Sequence, residues 1–170
     1  MFVRRISVRA MTIFALLAAG LAVAARPSLA QKADAELKGI TVVGVEVEDV
    51  SAQAAACGLS RDAIQSALTK ALTDGGLKVT RNSDTDVYLY ANVNTVSPTA
   101  GLCVSRYDVS LNTNTSAKLP YQEQQALVQV VLIHEGGMAS GGASGHGDGV
   151  VKALKQYVDQ FTLRIRRANQ

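Results

Sequence analysis

The hydrophobic pattern of the chain alternates between a period of two and a helical period. Ile40 to Val47 reads as a strand, with Val43, Val45 and Val47 on one side and Gly44, Glu46 and Glu48 on the other. Small residues follow from Ser51 to Gly58, a predicted loop that carries Cys57. From Ser60 the period becomes helical. Ile64, Ala67, Leu68, Ala71 and Leu72 make one stripe, Ser60 is placed to cap the helix, and Asp62 lies in its first turn. Gly75-Gly76 supplies a left-handed stop, closed by Leu77. Leu77 to Thr80 reads as a short strand, and Arg81 to Thr85 as a polar turn.

The next segment returns to strict alternation. From Asp86 to Val96, Val87, Leu89, Ala91 and Val93 oppose Tyr88, Tyr90, Asn92 and Asn94. Residues 97–101 have turn composition. Leu102 to Asn112 then places Cys103, Ser105, Tyr107, Val109 and Leu111 against Arg106, Asp108, Ser110 and Asn112. Asn112 to Gln125 is predicted to be a polar connection. Ala126 to Glu135 is a strand of poor alternation, which implies burial on both faces or a bulge. Seven of the 14 residues from Gly136 to Gly149 are glycine, and the pattern predicts a flexible strand-to-helix crossover or a hairpin tip there. The last element is a helix to about Arg167, with Val150, Leu154, Tyr157, Val158, Phe161 and Ile165 as its apolar stripe. The predicted fold is therefore α+β: a mostly antiparallel sheet of four to five strands with two helices on one face, in the order β-α-(β)-β-β-β-α.

This element order resembles the small α+β domains of bacterial envelope proteins, such as the amino-terminal domain of TolB. The chain is also similar to uncharacterised small periplasmic bacterial proteins that carry Cys-Gly-Leu before the first helix, here Cys57-Gly58-Leu59. The resemblance implies a fold and a compartment, and no catalytic residues.

The first 30 residues change the charge argument. Arg4, Arg5 and Arg9 precede an apolar run from Met11 to Ala25, and Ser28 and Ala30 put small residues where a signal peptidase cuts. That order is a secretory signal peptide, so the predicted mature domain is 31–170, in the periplasm or secreted. The run is shorter than the roughly 20 residues of a membrane span. No cysteine stands at the cut, which argues against a lipid anchor, so membrane contact is confined to the signal before cleavage. Ile6-Ser7-Val8 fit a twin-arginine signal poorly, which favours the general secretory route. All the charges of this segment are arginines, at 4, 5, 9 and 26. Removing these four from 17 leaves 13 basic residues against 14 acidic ones, and the balance gives no reason to expect a nucleic-acid partner. In an oxidising compartment Cys57 and Cys103 read as a disulfide, and they lack the spacing of a redox pair.

Candidate chemistry is sparse. The glycine run is followed by no Gly-Lys-Ser/Thr, so it is no P-loop, and no cofactor is expected. His134-Glu135 opens like a zinc-protease motif, but Met138 stands where the second histidine belongs. His134, His146 and Asp148 form the alternative reading, a small metal site or hydrolase. The leading reading is a non-enzymatic binding or adaptor domain whose partner is an envelope protein or a second copy of itself. Its expected surface is an edge strand or the open sheet face bearing Tyr88, Tyr90, Asn92, Asn94, Arg106 and Asp108, because tyrosines beside amides and charges suit recognition.

Overall fold

A strand's place in a sheet follows from what its two faces can bury. Strand β1 (Val42–Val47) buries Val43, Val45 and Val47 and sits inside the sheet. The computed structural model describes residues 34–81 and 85–170; the leader at 1–30 and the turn residues 82–84 lie outside them. Within that range the fold is α+β, as the sequence predicts. Strands β2 (Lys78–Thr80), β3 (Val87–Val96), β4 (Leu102–Lys118) and β5 (Gln125–Gly142) complete one sheet in the order β2-β1-β3-β4-β5. The short β1 ladders to β2 and β3 are parallel, and the long β3-β4 and β4-β5 ladders are antiparallel.

Among the described residues three α-helices accompany the sheet: α1 (Ala52–Ala56), α2 (Arg61–Asp74) and α3 (Ala143–Ala168). The Ser51 to Gly58 stretch is thus not wholly a loop. The Ser51 hydroxyl accepts from the Ala54 N–H, and the alanines that follow are good helix formers. Helix α2 is capped by Ser60, whose hydroxyl accepts from the Ala63 N–H at 3.5 Å. It stops as the sequence predicts. Gly76 has φ +89°, the Gly76 N–H donates to the Thr73 carbonyl, and the Leu77 N–H donates to the Leu72 carbonyl.

Helices α2 and α3 cover the same face. Ile64, Leu68 and Leu72 from α2 and Val150, Leu154, Val158, Phe161 and Ile165 from α3 meet Leu89, Ala91, Val109 and Leu111 of the sheet. Each of the larger side chains among them is worth roughly 1.5–3 kcal/mol when fully buried. The helices come close at Gly75, where a Cβ would lie 2.5 Å from Thr162.

Two predicted connections are strand instead. The polar stretch after Asn112 continues β4 to Lys118, and β5 resumes at Gln125, so the turn is confined to residues 119–124. Asn114, Thr115, Ser116 and Lys118 are exposed, so this ribbon is wet on both faces and leaves no apolar alternation to read. The glycine run is likewise no flexible crossover. β5 runs through Gly142, and α3 begins at once. Gly136 and Gly137 lie where a Cβ would press within about 3.0 Å of Tyr107, and Gly145 takes φ +81° at a kink in the first turn of α3. The poor alternation of the fifth strand comes from a bulge, where Leu111 pairs with Ile133 but Asn112 pairs with Val131.

Candidate partner-binding surface

The registers of β3 and β4 put the six expected surface residues on one face. Asn92 pairs with Asp108 and Asn94 with Arg106, while Tyr88 and Tyr90 pair with Asn112 and Ser110. Asn94 and Arg106 are exposed, and the other four are half-buried. The polar groups of this face largely bond one another. Glu48 accepts from the Tyr90 hydroxyl and the Asn92 amide, the Asn94 amide donates to Asn92 Oδ1, and the Gln129 amide donates to the Tyr88 hydroxyl. At the edge of β1, Arg61 donates to the Val47 carbonyl at 2.7 Å and lies 3.6 Å from both Glu46 and Asp49. Exposed pairs of this kind contribute about 0–1 kcal/mol each.

The two histidines do not meet. His134 pairs with Ser110 on the open face and is exposed, so it does not point into the core. His146 is not on a mobile loop. It is buried under the opposite face, where its Nε2 lies 2.7 Å from Ser105 Oγ, which is 2.7 Å from Thr95 Oγ1. Asp148 is exposed. No group of three potential metal ligands converges among the described residues. The Ser105–His146 distance suits a nucleophile and its base. Ser105 is fully buried, however, and its hydroxyl already bonds Thr95 as well as His146. The sequence placed Ser105 on the apolar face; that it meets His146 depends on how α3 seats, which no local pattern encodes.

The seat of α3 is set by two further contacts. Cys57 and Cys103 form the expected disulfide, with Cα atoms 6.0 Å apart. A Cβ on Gly147 would lie 2.2 Å from the Gly58 carbonyl oxygen, so only glycine lets the helix start rest on the Cys57-Gly58-Leu59 backbone. Further along, the Tyr157 hydroxyl donates to the Gly136 carbonyl at 3.1 Å, beside the Tyr107 ring. Burial, and secondarily the Tyr157 hydroxyl, push the Tyr107 phenol above its ordinary range.

The surface that sequence reasoning under-weighted is the outer edge of β5. This strand is last in the sheet, and its outer side meets no further strand among the described residues. β3 ends its pairing with β4 at the Val87–Thr113 pair, so the segments after Thr113 and before Val130 form a two-stranded arm beyond the rest of the sheet. Leu127 is 78% exposed, Val131 57% and Met138 73%. Gln125 to Ile133 contains no charge, proline or glycine. Long apolar edges of this kind are templates for pairing with another strand. The sequence signal was present in that uncharged run, but the position of the strand at an edge was not.

No family model and no curated protein matches the chain. Among solved structures it is similar to a PelC variant dodecamer from Paraburkholderia phytofirmans, at 14% identity and a TM-score of 0.40, over 75% of this chain and 86% of that one.

Proposed function

We propose that this chain is an exported, non-enzymatic binding domain of the cell envelope that engages its partner by accepting a strand on the free edge of β5. The carrying observation is the length of that edge together with its exposed Leu127, Val130 and Val131. Backbone groups along such an edge give affinity to an added strand, and alternate side chains give selectivity. The leader-like first 30 residues and the Cys57–Cys103 disulfide support an oxidising compartment, the periplasm or the exterior. Among the described residues no helix is long and apolar enough to cross a membrane. On this reading the chain belongs with the small periplasmic proteins that share its Cys57-Gly58-Leu59 signature.

The open face plays a lesser part, because Glu48, Asn92, Gln129 and the tyrosines already use one another as hydrogen-bond partners. The metal or hydrolase reading gains no support from histidines on opposite faces of the sheet.

The test is photo-crosslinking in cells. A photoreactive residue in place of Leu127 is compared with one in place of Gln65, half-buried on α2 and away from β5, and with a Tyr88→Ala, Tyr90→Ala variant probed from position 127. Crosslinks from 127 that survive the tyrosine changes, with none from 65, are expected. Crosslinks lost with the tyrosines would return the open face as the binding surface, and equal labelling from 65 would overturn the edge.

A further inference from the structure

The β5 edge also carries information about what fits it. Residues 125–133 read Gln-Ala-Leu-Val-Gln-Val-Val-Leu-Ile, with Gln129 at the midpoint. Moving outward from Gln129, Val128 is mirrored by Val130, Leu127 by Val131 and Ala126 by Leu132. An antiparallel strand pair related by a two-fold axis brings together such mirrored positions, one from each copy. These three pairs are apolar or small, the central Gln129 and the outer Gln125 are uncharged, and no pair within 125–133 sets a charge against a like charge.

We infer that β5 pairs with β5 of a second copy of this chain, antiparallel, about a two-fold axis at Gln129. This rests on the reading that β5 accepts a strand, and it names the strand. The axis would stand perpendicular to the sheet, so each face continues across the junction. Leu127 of one copy then meets Val131 of the other on the open face, and Val128 meets Val130 on the opposite face. Both apolar stripes lose water together.

The surrounding structure suits that pairing. The bulge falls at Leu132, past the central residues 127–131, which keep an unbroken register with β4. Ile133 is buried and Leu132 packs against the core, whereas Leu127, Val130 and Val131 are exposed, so the core's cover thins along the central part of the segment. Glu135, the nearest charge on the strand, lies outside the segment.

Sedimentation velocity on the processed, exported protein tests this. The wild type should be a dimer. Gln129→Lys and Gln129→Glu each set like charges face to face across the axis and should weaken the dimer about fivefold or more. Mixed in equal amounts, the two variants should recover a dimer that native mass spectrometry shows to be mixed. Tyr88→Phe removes the Gln129 hydrogen bond without adding charge and should leave the dimer intact. A wild type that stays monomeric, or a dimer indifferent to both charges, overturns the self-pairing. In either case crosslinking from position 127 separates the two readings: crosslinks to a different protein preserve strand addition, and their absence removes it as well.

Discussion

Gly147 rests on Gly58 so closely that a single methyl group on Gly147 would overlap the Gly58 carbonyl, at 2.2 Å. The neighbour is backbone and cannot swing aside. The contact joins the start of α3 to the residue after Cys57, so one spot fixes both the last helix and the disulfide-bearing loop.

Gly147→Ala should therefore destabilise the domain, by about 1–3 kcal/mol or more for an overpacked site. Gly149→Ala is the matched control. Its Cβ would meet nothing within 4 Å, and its φ is not in the left-handed range. That change should stabilise by about 0.4–1 kcal/mol through the unfolded chain. Urea unfolding of the two variants checks the pair, and equal effects would refute the close contact.

Replacing Cys57 and Cys103 together with alanine opens a loop whose ends are 46 residues apart. The chain-entropy relation gives a loss of about 4 kcal/mol. Unfolding of the oxidised protein, the reduced protein and the double variant should show the last two alike and both well below the first.

The buried Thr95–Ser105–His146 chain predicts a structural penalty. Ser105→Ala removes the partner shared by His146 Nε2 and Thr95 Oγ1. Each orphaned buried group costs about 1–3 kcal/mol. Thr95→Val added to Ser105→Ala should restore part of the loss, because it removes one orphan. Thermal unfolding of the single and double variants measures the recovery.

Tyr107 predicts a loss of stability in alkali. Burial and then Tyr157 raise its folded-state pKa, so the folded chain favours the neutral phenol. That contribution is full below the unfolded value of about 10 and is lost as pH rises through the higher folded value. Tyr107→Phe should flatten the fall. Stability measured between pH 9 and about 11.5 in both proteins tests it.

Much of the fold was legible because burial and periodicity agree. Val43, Val45 and Val47, the Leu89–Ala91 alternation, and the Val150 to Ile165 stripe are core residues by pattern and by structure. The stop at Gly75-Gly76 was legible because a left-handed residue needs glycine. The glycine run misled because glycine has two uses. Gly136, Gly137 and Gly147 make room for Tyr107 and for the Gly58 backbone, contacts made by residues distant in sequence. The polar half of β4 was hidden for the opposite reason: a ribbon exposed on both faces has no buried side to impose alternation. The six face residues were placed together correctly. Their mutual hydrogen bonds, and the exposed position of β5 at the end of the sheet, depend on strand order, which the pattern of one chain leaves open.

Asn169 holds the start of the described chain to its end: its Oδ1 accepts from the Gly39 N–H at 2.8 Å, and its amide donates to the Ile40 carbonyl. Arg164 adds a bond to Asp34 at 2.6 Å. Gln170 therefore lies beside the segment that leads into β1, at the same end of the sheet from which the arm departs. A circularly permuted chain follows from this. In a chain that starts at Asp34, a few linker residues would join Gln170 to Asp34 without crossing the core, and new ends cut into the 119–124 turn would leave every buried layer in place.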